Sequence, residues 1–218
     1  MKTYLTYSIL IISIFLSSCE KKGEAEDFHY EYFPTDIGTY VVYEVDETIY
    51  DLQTTQETYQ IKELIESEIT DNLGRPSLRI ERYKRATEND EWEIKDVWYA
   101  TRTNSQAEKI EENVRYVKLS FPVRDYQEWD GNVYNTENEW LYYYDSIGDS
   151  RTINGESFEK TVKVVQRENY NLIEQEDAYE IYAEGVGLIY RKLIDLDFND
   201  NQTTGRELYQ KFISNGKE

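Results

Sequence analysis

The sequence predicts an all-β, mainly antiparallel fold: a single strongly curved meander sheet, half-barrel or barrel-like, with a two-sheet sandwich as the alternative. Three observations predict it. Apolar residues recur with a period of two from Thr39 onward, the signature of strands with one buried face. Turn residues interrupt these runs at the spacing of short strands, as in Asp71-Asn72-Leu73-Gly74, Glu112-Asn113, Asp130-Gly131-Asn132 and Asn154-Gly155. With 39% hydrophobic and 15% aromatic residues against only 3 Pro and 10 Gly, the chain is equipped to bury a core and is unlike a low-complexity polymer.

The chain opens on an address. Lys2 supplies positive charge and Tyr4 to Leu16 an apolar stretch too short to span a bilayer, which needs about 20 residues. Leu16-Ser17-Ser18-Cys19 resembles the lipobox of bacterial lipoproteins, in which the signal is cut before a cysteine that becomes acylated. The only Cys of the chain fills that place. Residues 1–18 are therefore read as a signal peptide, 19–32 as a lipidated N-terminus and charged tether, and 33–218 as the β domain. Several acyl chains on Cys19, each buried CH₂ contributing about 0.8 kcal/mol, would suffice to anchor the protein. The membrane is thus a partner through the lipid, and the expected location is the bacterial outer membrane.

Within the domain, Val41, Tyr43, Val45 and Ile49 share one face of a first strand, with Glu44 and Asp46 opposite. Ile61, Leu64, Ile65 and Ile69 fit a helical face as well as Tyr59, Ile61, Ile65 and Ile69 fit a strand face; β-branched content and the Gly74 turn towards Leu78 and Ile80 favour a hairpin. Alternation returns in 91–101 (Trp92, Ile94, Trp98, Ala100), 114–121 (Val117, Leu119, Phe121), 156–168 (Phe158, Val162, Val164) and 186–196. Leu208 and Phe212 mark a last short strand. Tyr142, Tyr143 and Tyr144, being consecutive, must divide between two faces. About eleven strands would make a long flat sheet, so the sheet should curl, with charged outer and apolar inner faces.

Phe33-Pro34-Thr35-Asp36-Ile37-Gly38-Thr39-Tyr40, Lys118-Leu119-Ser120-Phe121-Pro122-Val123, Trp129-Asp130-Gly131-Asn132-Val133-Tyr134-Asn135-Thr136 and Ile181-Tyr182-Ala183-Glu184-Gly185-Val186-Gly187-Leu188-Ile189-Tyr190 resemble motifs of uncharacterised outer-membrane lipoproteins of Bacteroidota. The resemblance implies an envelope lipoprotein and brings no catalytic residue with it.

Charge and residue chemistry exclude more than they assign. With 44 acidic against 24 basic residues, nucleic acid is not an expected partner, since phosphate binding needs clustered Lys and Arg. His29 is the only histidine and lies before the first strand, which removes Ser-His-Asp and Cys-His catalysis and most transition-metal sites. Asp195, Asp197, Asn199, Asp200 and Asn201 crowd oxygen ligands, but an EF-hand counted from Asp195 would put Asp200 where Gly belongs and Arg206 where Glu belongs. No catalytic residue, metal or cofactor is assigned. The one candidate ligand surface is Trp129, Asp130, Asn132 and Asn135, a large ring beside short polar groups in the long stretch 123–138. Trp129 has a second reading, as a cap folded over an open end of the sheet.

The function expected on these grounds is that of a membrane-anchored, non-catalytic accessory or binding lipoprotein of the cell envelope, with an envelope protein or glycan as partner. Two alternatives stand beside it: a carrier of an apolar ligand inside the curled sheet, and a carbohydrate-binding or carbohydrate-acting surface protein.

Overall fold

The computed structural model describes residues 27–199 and 202–218; the expected signal peptide 1–18, Cys19 with the expected tether up to residue 26, and Asp200 and Asn201 lie outside the described residues. Among the described residues twelve strands make one antiparallel sheet: β1 (Thr39–Tyr50), β2 (Thr55–Thr70), β3 (Pro76–Arg85), β4 (Glu93–Arg102), β5 (Gln106–Glu111), β6 (Val114–Ser120), β7 (Glu128–Asp130), β8 (Leu141–Ile153), β9 (Glu156–Tyr170), β10 (Glu174–Ala183), β11 (Gly187–Asn199) and β12 (Gln202–Lys217). Every strand pairs with its sequence neighbour except β6 with β7, and β1 pairs with β12. The ladder is thus a ring interrupted once, between two strands that are consecutive in the chain.

The ends of the ring nearly close. Val117 N on β6 donates to the Gly131 carbonyl at 2.9 Å, and Trp129 Nε1 donates to the Val117 carbonyl at 2.9 Å. Further along the seam, the Tyr144 hydroxyl donates to the Ser120 carbonyl (2.7 Å) and accepts from its N–H (3.0 Å). A sheet edge that would otherwise expose a row of unpaired groups is covered this way. Tight turns join the strands: Glu112-Asn113 (φ 49° and 67°) and Asn154-Gly155 (φ 47° and 85°) take the left-handed conformations that two-residue hairpins require.

The folded unit begins earlier than residue 33. A 3-10 turn over Tyr30–Tyr32 plugs one end of the barrel, with Tyr32 only 1% exposed. It is tied down by Gly185 N to the Glu31 carbonyl (2.9 Å), Tyr30 Oη to the Asn104 carbonyl (3.0 Å) and Arg102 Nη1 to the Phe33 carbonyl (2.8 Å). Phe28, Tyr30, Tyr32 and Phe33 supply enough aromatic area to order a stretch that reads as tether by its charges.

The ambiguous segment at 59–69 is strand, inside β2. Tyr142 and Tyr144 are buried while Tyr143 turns outward to Glu168, as consecutive strand positions must. Two expectations change. Ile94 is 60% exposed, because Lys95 is an extra residue opposite the Arg82/Tyr83 step and the bulge reverses the alternation before Asp96. The inner face is also not purely apolar: Glu63, Arg82, Lys109, Lys118 and Glu180 are all buried.

Candidate functional site

Those buried charges form one layer across the barrel. Its members sit at inward positions of their strands: Glu63 on β2, Arg82 on β3, Lys109 and Glu111 on β5, Lys118 on β6, Glu180 on β10 and Arg191 on β11. Glu63 accepts from Arg82 Nε (3.0 Å) and Lys109 Nζ (2.8 Å). Glu180 Oε1 accepts from Lys118 Nζ (2.8 Å) and Arg191 Nε (2.7 Å), and its Oε2 from the Tyr182 hydroxyl (2.6 Å). Glu111 Oε1 lies 2.7 Å from Arg191 Nη2 and 3.3 Å from Lys118 Nζ. Arg82 also stacks 3.5 Å from the Trp98 ring centroid, with Lys109 Nζ at 4.9 Å.

Electrostatics follow the pairing. Burial alone would raise the carboxyl pKa values, but Arg191, Lys118 and Lys109 outweigh it at Glu111, Lys118 and Arg191 at Glu180, and Lys109 and Arg82 at Glu63. All three carboxyls are held below the usual glutamate range. Burial and the neighbouring Glu180 carboxylate push the Tyr182 phenol well above 10.0, so it remains a donor.

Among the described residues two cavities lie inside the barrel, and Lys118 and Arg191 line both. The smaller, about 130 Å³, is at the plugged end and is mainly apolar, walled by Phe33, Pro34, Ile65, Leu78, Ile80 and Leu188. The larger, about 350 Å³, is towards the opposite end and is walled by aromatic rings, among them Tyr59, Trp98, Tyr116, Trp140 and Tyr142. Its size falls within the range of roughly 300–1,000 Å³ usual for small-molecule sites. Gln166 and Gln210 add amides, and Leu193 and Leu208 aliphatic wall. Three N–H groups of its lining have no hydrogen-bond partner among the described residues: Trp98 Nε1, Gln166 Nε2 and Gln210 Nε2. Trp98 is 5% exposed and Gln210 2%, so these are buried donors in a wall where such groups are normally satisfied.

The residues singled out from the sequence lie elsewhere. Trp129 packs on Tyr142 and Tyr144 (centroids 6.0 and 4.7 Å) and spends its N–H on Val117. Asp130 Oδ1 accepts from Asn132 N and Trp140 N, Asn132 Nδ2 donates to the Asn138 carbonyl, and Asn135 Nδ2 donates to the Arg115 carbonyl on β6. The structure brings these four together, but along the seam, with their polar atoms turned on the chain itself. His29 sits beside the plug, its Nδ1 3.5 Å from Asp27 and 3.7 Å from Glu184. Asp195 and Asp197 belong to β11, Asp195 lying 3.5 Å from Arg167. Cys19 is outside the described residues.

The charged layer was missed although a signal existed. Glu180 stands between Ala178 and Tyr182 and so holds an inward place in an alternating run, whereas the alternation before Arg191 is broken by Ile189, the extra residue opposite the Ile181/Tyr182 step.

No protein-family model and no curated protein matches the chain. Two solved structures are similar in chain course. A "putative lipoprotein" from Parabacteroides distasonis is 14% identical, with TM-score 0.45, over 88% of this chain and 100% of its own. A "putative exported protein with YmcC-like fold" from Bacteroides fragilis is 11% identical, with TM-score 0.46, over 85% and 98%. At such identities and TM-scores neither description transfers to this chain.

Proposed function

We propose that the protein is a non-catalytic binding lipoprotein of the bacterial cell envelope, anchored through Cys19 to the outer membrane, whose barrel interior holds a small ligand. The observation that carries this reading is the pair of partly open cavities where a barrel of this kind could have been filled by side chains. The carrier alternative thereby gains over a purely surface-acting accessory role. The ligand differs from a wholly apolar one, because the larger cavity mixes aromatic rings with unpaired N–H donors.

Binding is favoured over glycoside hydrolysis by the state of the lumenal carboxyls. Hydrolysis needs one carboxylic acid kept protonated near neutral pH. Glu63, Glu111 and Glu180 are each pressed the other way by two or more cations. The barrel is plugged at the end where residue 28 joins it, and the larger cavity lies towards the opposite end. With the lipid at Cys19, that cavity would face away from the bilayer, towards an envelope protein or glycan that supplies or receives the ligand.

Native mass spectrometry of the protein released from its own envelope tests the reading. A bound adduct of fixed mass is expected, lost in Leu208→Trp, which places an indole in the larger cavity. Wild-type protein that carries no adduct and takes up no small molecule counts against it. Mass analysis of the mature N-terminus, with membrane release of Cys19→Ala, tests the anchor separately.

A further inference from the structure

We infer that the larger cavity takes a neutral, hydroxyl-rich ligand of the saccharide class, and this rests on the lumenal-binding reading above. Three features of the wall select that chemistry.

The first is what remains unpaired. Trp98 Nε1, Gln166 Nε2 and Gln210 Nε2 are buried donors without partners among the described residues, and they belong to side chains of the cavity wall on three strands, β4, β9 and β12. Leaving a buried donor unmade costs about 1–3 kcal/mol, so an acceptor-bearing guest towards which these side chains turn recovers that cost. An aliphatic ligand would leave all three unsatisfied.

The second is what is already paired. The cations facing the cavity floor are engaged: Arg82 by Glu63 and Asp96, Lys118 by Glu111 and Glu180, Arg191 by the same two carboxylates. At the rim, Arg206 pairs with Glu47 and Lys192 with Asp177. An anionic guest would have to compete with these carboxylates for cations that are spoken for, and would itself be desolvated beside Glu111 and Glu180. A neutral guest meets no such opposition, and its hydroxyls can donate to carboxylate oxygens while accepting from the amides.

The third is the aromatic wall. Sugar rings carry apolar C–H faces between equatorial hydroxyls, and flat indole and phenol rings supply matching apolar area with polar edges. Trp98 and Trp140 provide two such rings, and each is electrostatically fixed, Trp98 beneath Arg82 and Trp140 beneath Arg167.

The same tryptophans supply the readout. The purified full chain is titrated with maltose, cellobiose and N-acetylglucosamine as neutral sugars, and with gluconate and decanoate as anionic and apolar controls, following indole fluorescence. At least one neutral sugar should give a saturable change, weakened about tenfold or more in Gln210→Leu and in Trp98→Phe, each of which removes one donor. Circular dichroism of each variant establishes that it is folded; should Gln210→Leu not fold, Gln166→Leu takes its place. Sugar binding unchanged in these variants would overturn the site. Binding of gluconate or decanoate alone, abolished by Leu208→Trp, would overturn the ligand class and leave the lumenal reading standing. Binding of none of the five would overturn the ligand class, and the lumenal reading falls with it if the wild-type protein also carries no adduct.

Discussion

Replacing Trp129 by Ala should unfasten the barrel. The ring packs against Tyr142 and Tyr144, both buried, and its N–H satisfies the Val117 carbonyl on the far side of the seam. Deleting a large aromatic from a packed site costs about 3–5 kcal/mol. Trp129 is only half-buried, which favours the lower end, while the orphaned Val117 carbonyl adds to the loss. Taking about 3 kcal/mol, with 1 kcal/mol equivalent to roughly 2–4 °C in a domain of this size, the melting temperature should fall by about 6–12 °C. Trp129→Phe, which keeps a ring and loses the hydrogen bond, should lose only about a third of that. Thermal unfolding followed by circular dichroism measures both, and hydrogen exchange at the Val117 amide, bonded to Gly131, should accelerate in the Ala variant before global unfolding. An unchanged melting temperature with unchanged Val117 protection would refute the seam role and return Trp129 to the status of a contact residue.

Three further outcomes follow from the same geometry. Glu180→Gln removes a fully buried charge from between Lys118 and Arg191 and should cost about 3 kcal/mol in chemical denaturation, the low end for a broken buried pair because Glu111 still faces both cations. Glu63, Glu111 and Glu180 have folded pKa values depressed below 4.5, so their contribution to stability is complete above that pH and disappears as pH falls further; melting temperature against pH should be flat down to about 5 and then drop, and a profile still flat at pH 3 would contradict the pairing. Gly131→Ala would drive a Cβ into the buried Tyr142 ring and should destabilise by about 1–3 kcal/mol in the same thermal assay.

The fold was legible in the sequence where a strand has one wet face. In β1 Tyr43 and Val45 are buried while Glu44 and Asp46 are not, whereas β6 buries Val117, Lys118 and Leu119 in succession. β5 and β10 escaped notice because charge is buried on them: Lys109 and Glu111 of β5 point into the lumen while Glu108, 1% exposed, lies on the other face held by Arg75, Arg115 and Gln106. A strand with buried charge on both faces has no apolar period to read. The candidate site was hard to read for a related reason: Glu63, Arg82, Lys118, Glu180 and Arg191 are charges at inward places, and a charge in an alternating run reads as an outward residue. Trp129 and its neighbours were visible as an unusual loop, but a loop that lies along a sheet edge and one that meets a partner have the same composition; only the pairing of β6 separates them.

The charged layer and the seam serve one closure. Buried ion pairs contribute little net stability compared with well-packed apolar residues, because desolvation offsets attraction, so the layer is poorly explained as a source of folding energy. Its placement explains more. Lys118 of β6 and Glu111 of β5 belong to one end of the interrupted ring, and Glu180 of β10 and Arg191 of β11 to the other half of the sheet. The bonds between them cross the lumen beside the gap in the ladder, where no continuous backbone pairing holds β6 to β7. Trp129, Gly131 and Tyr144 close that gap along the wall, while the Lys118–Glu180 and Arg191–Glu111 pairs span it from inside. Apolar side chains large enough to span the same distance would fill the lumen; extended, mutually bonded charged side chains cross it and leave space on either side. The layer that shuts the barrel is therefore also the partition that leaves it two cavities.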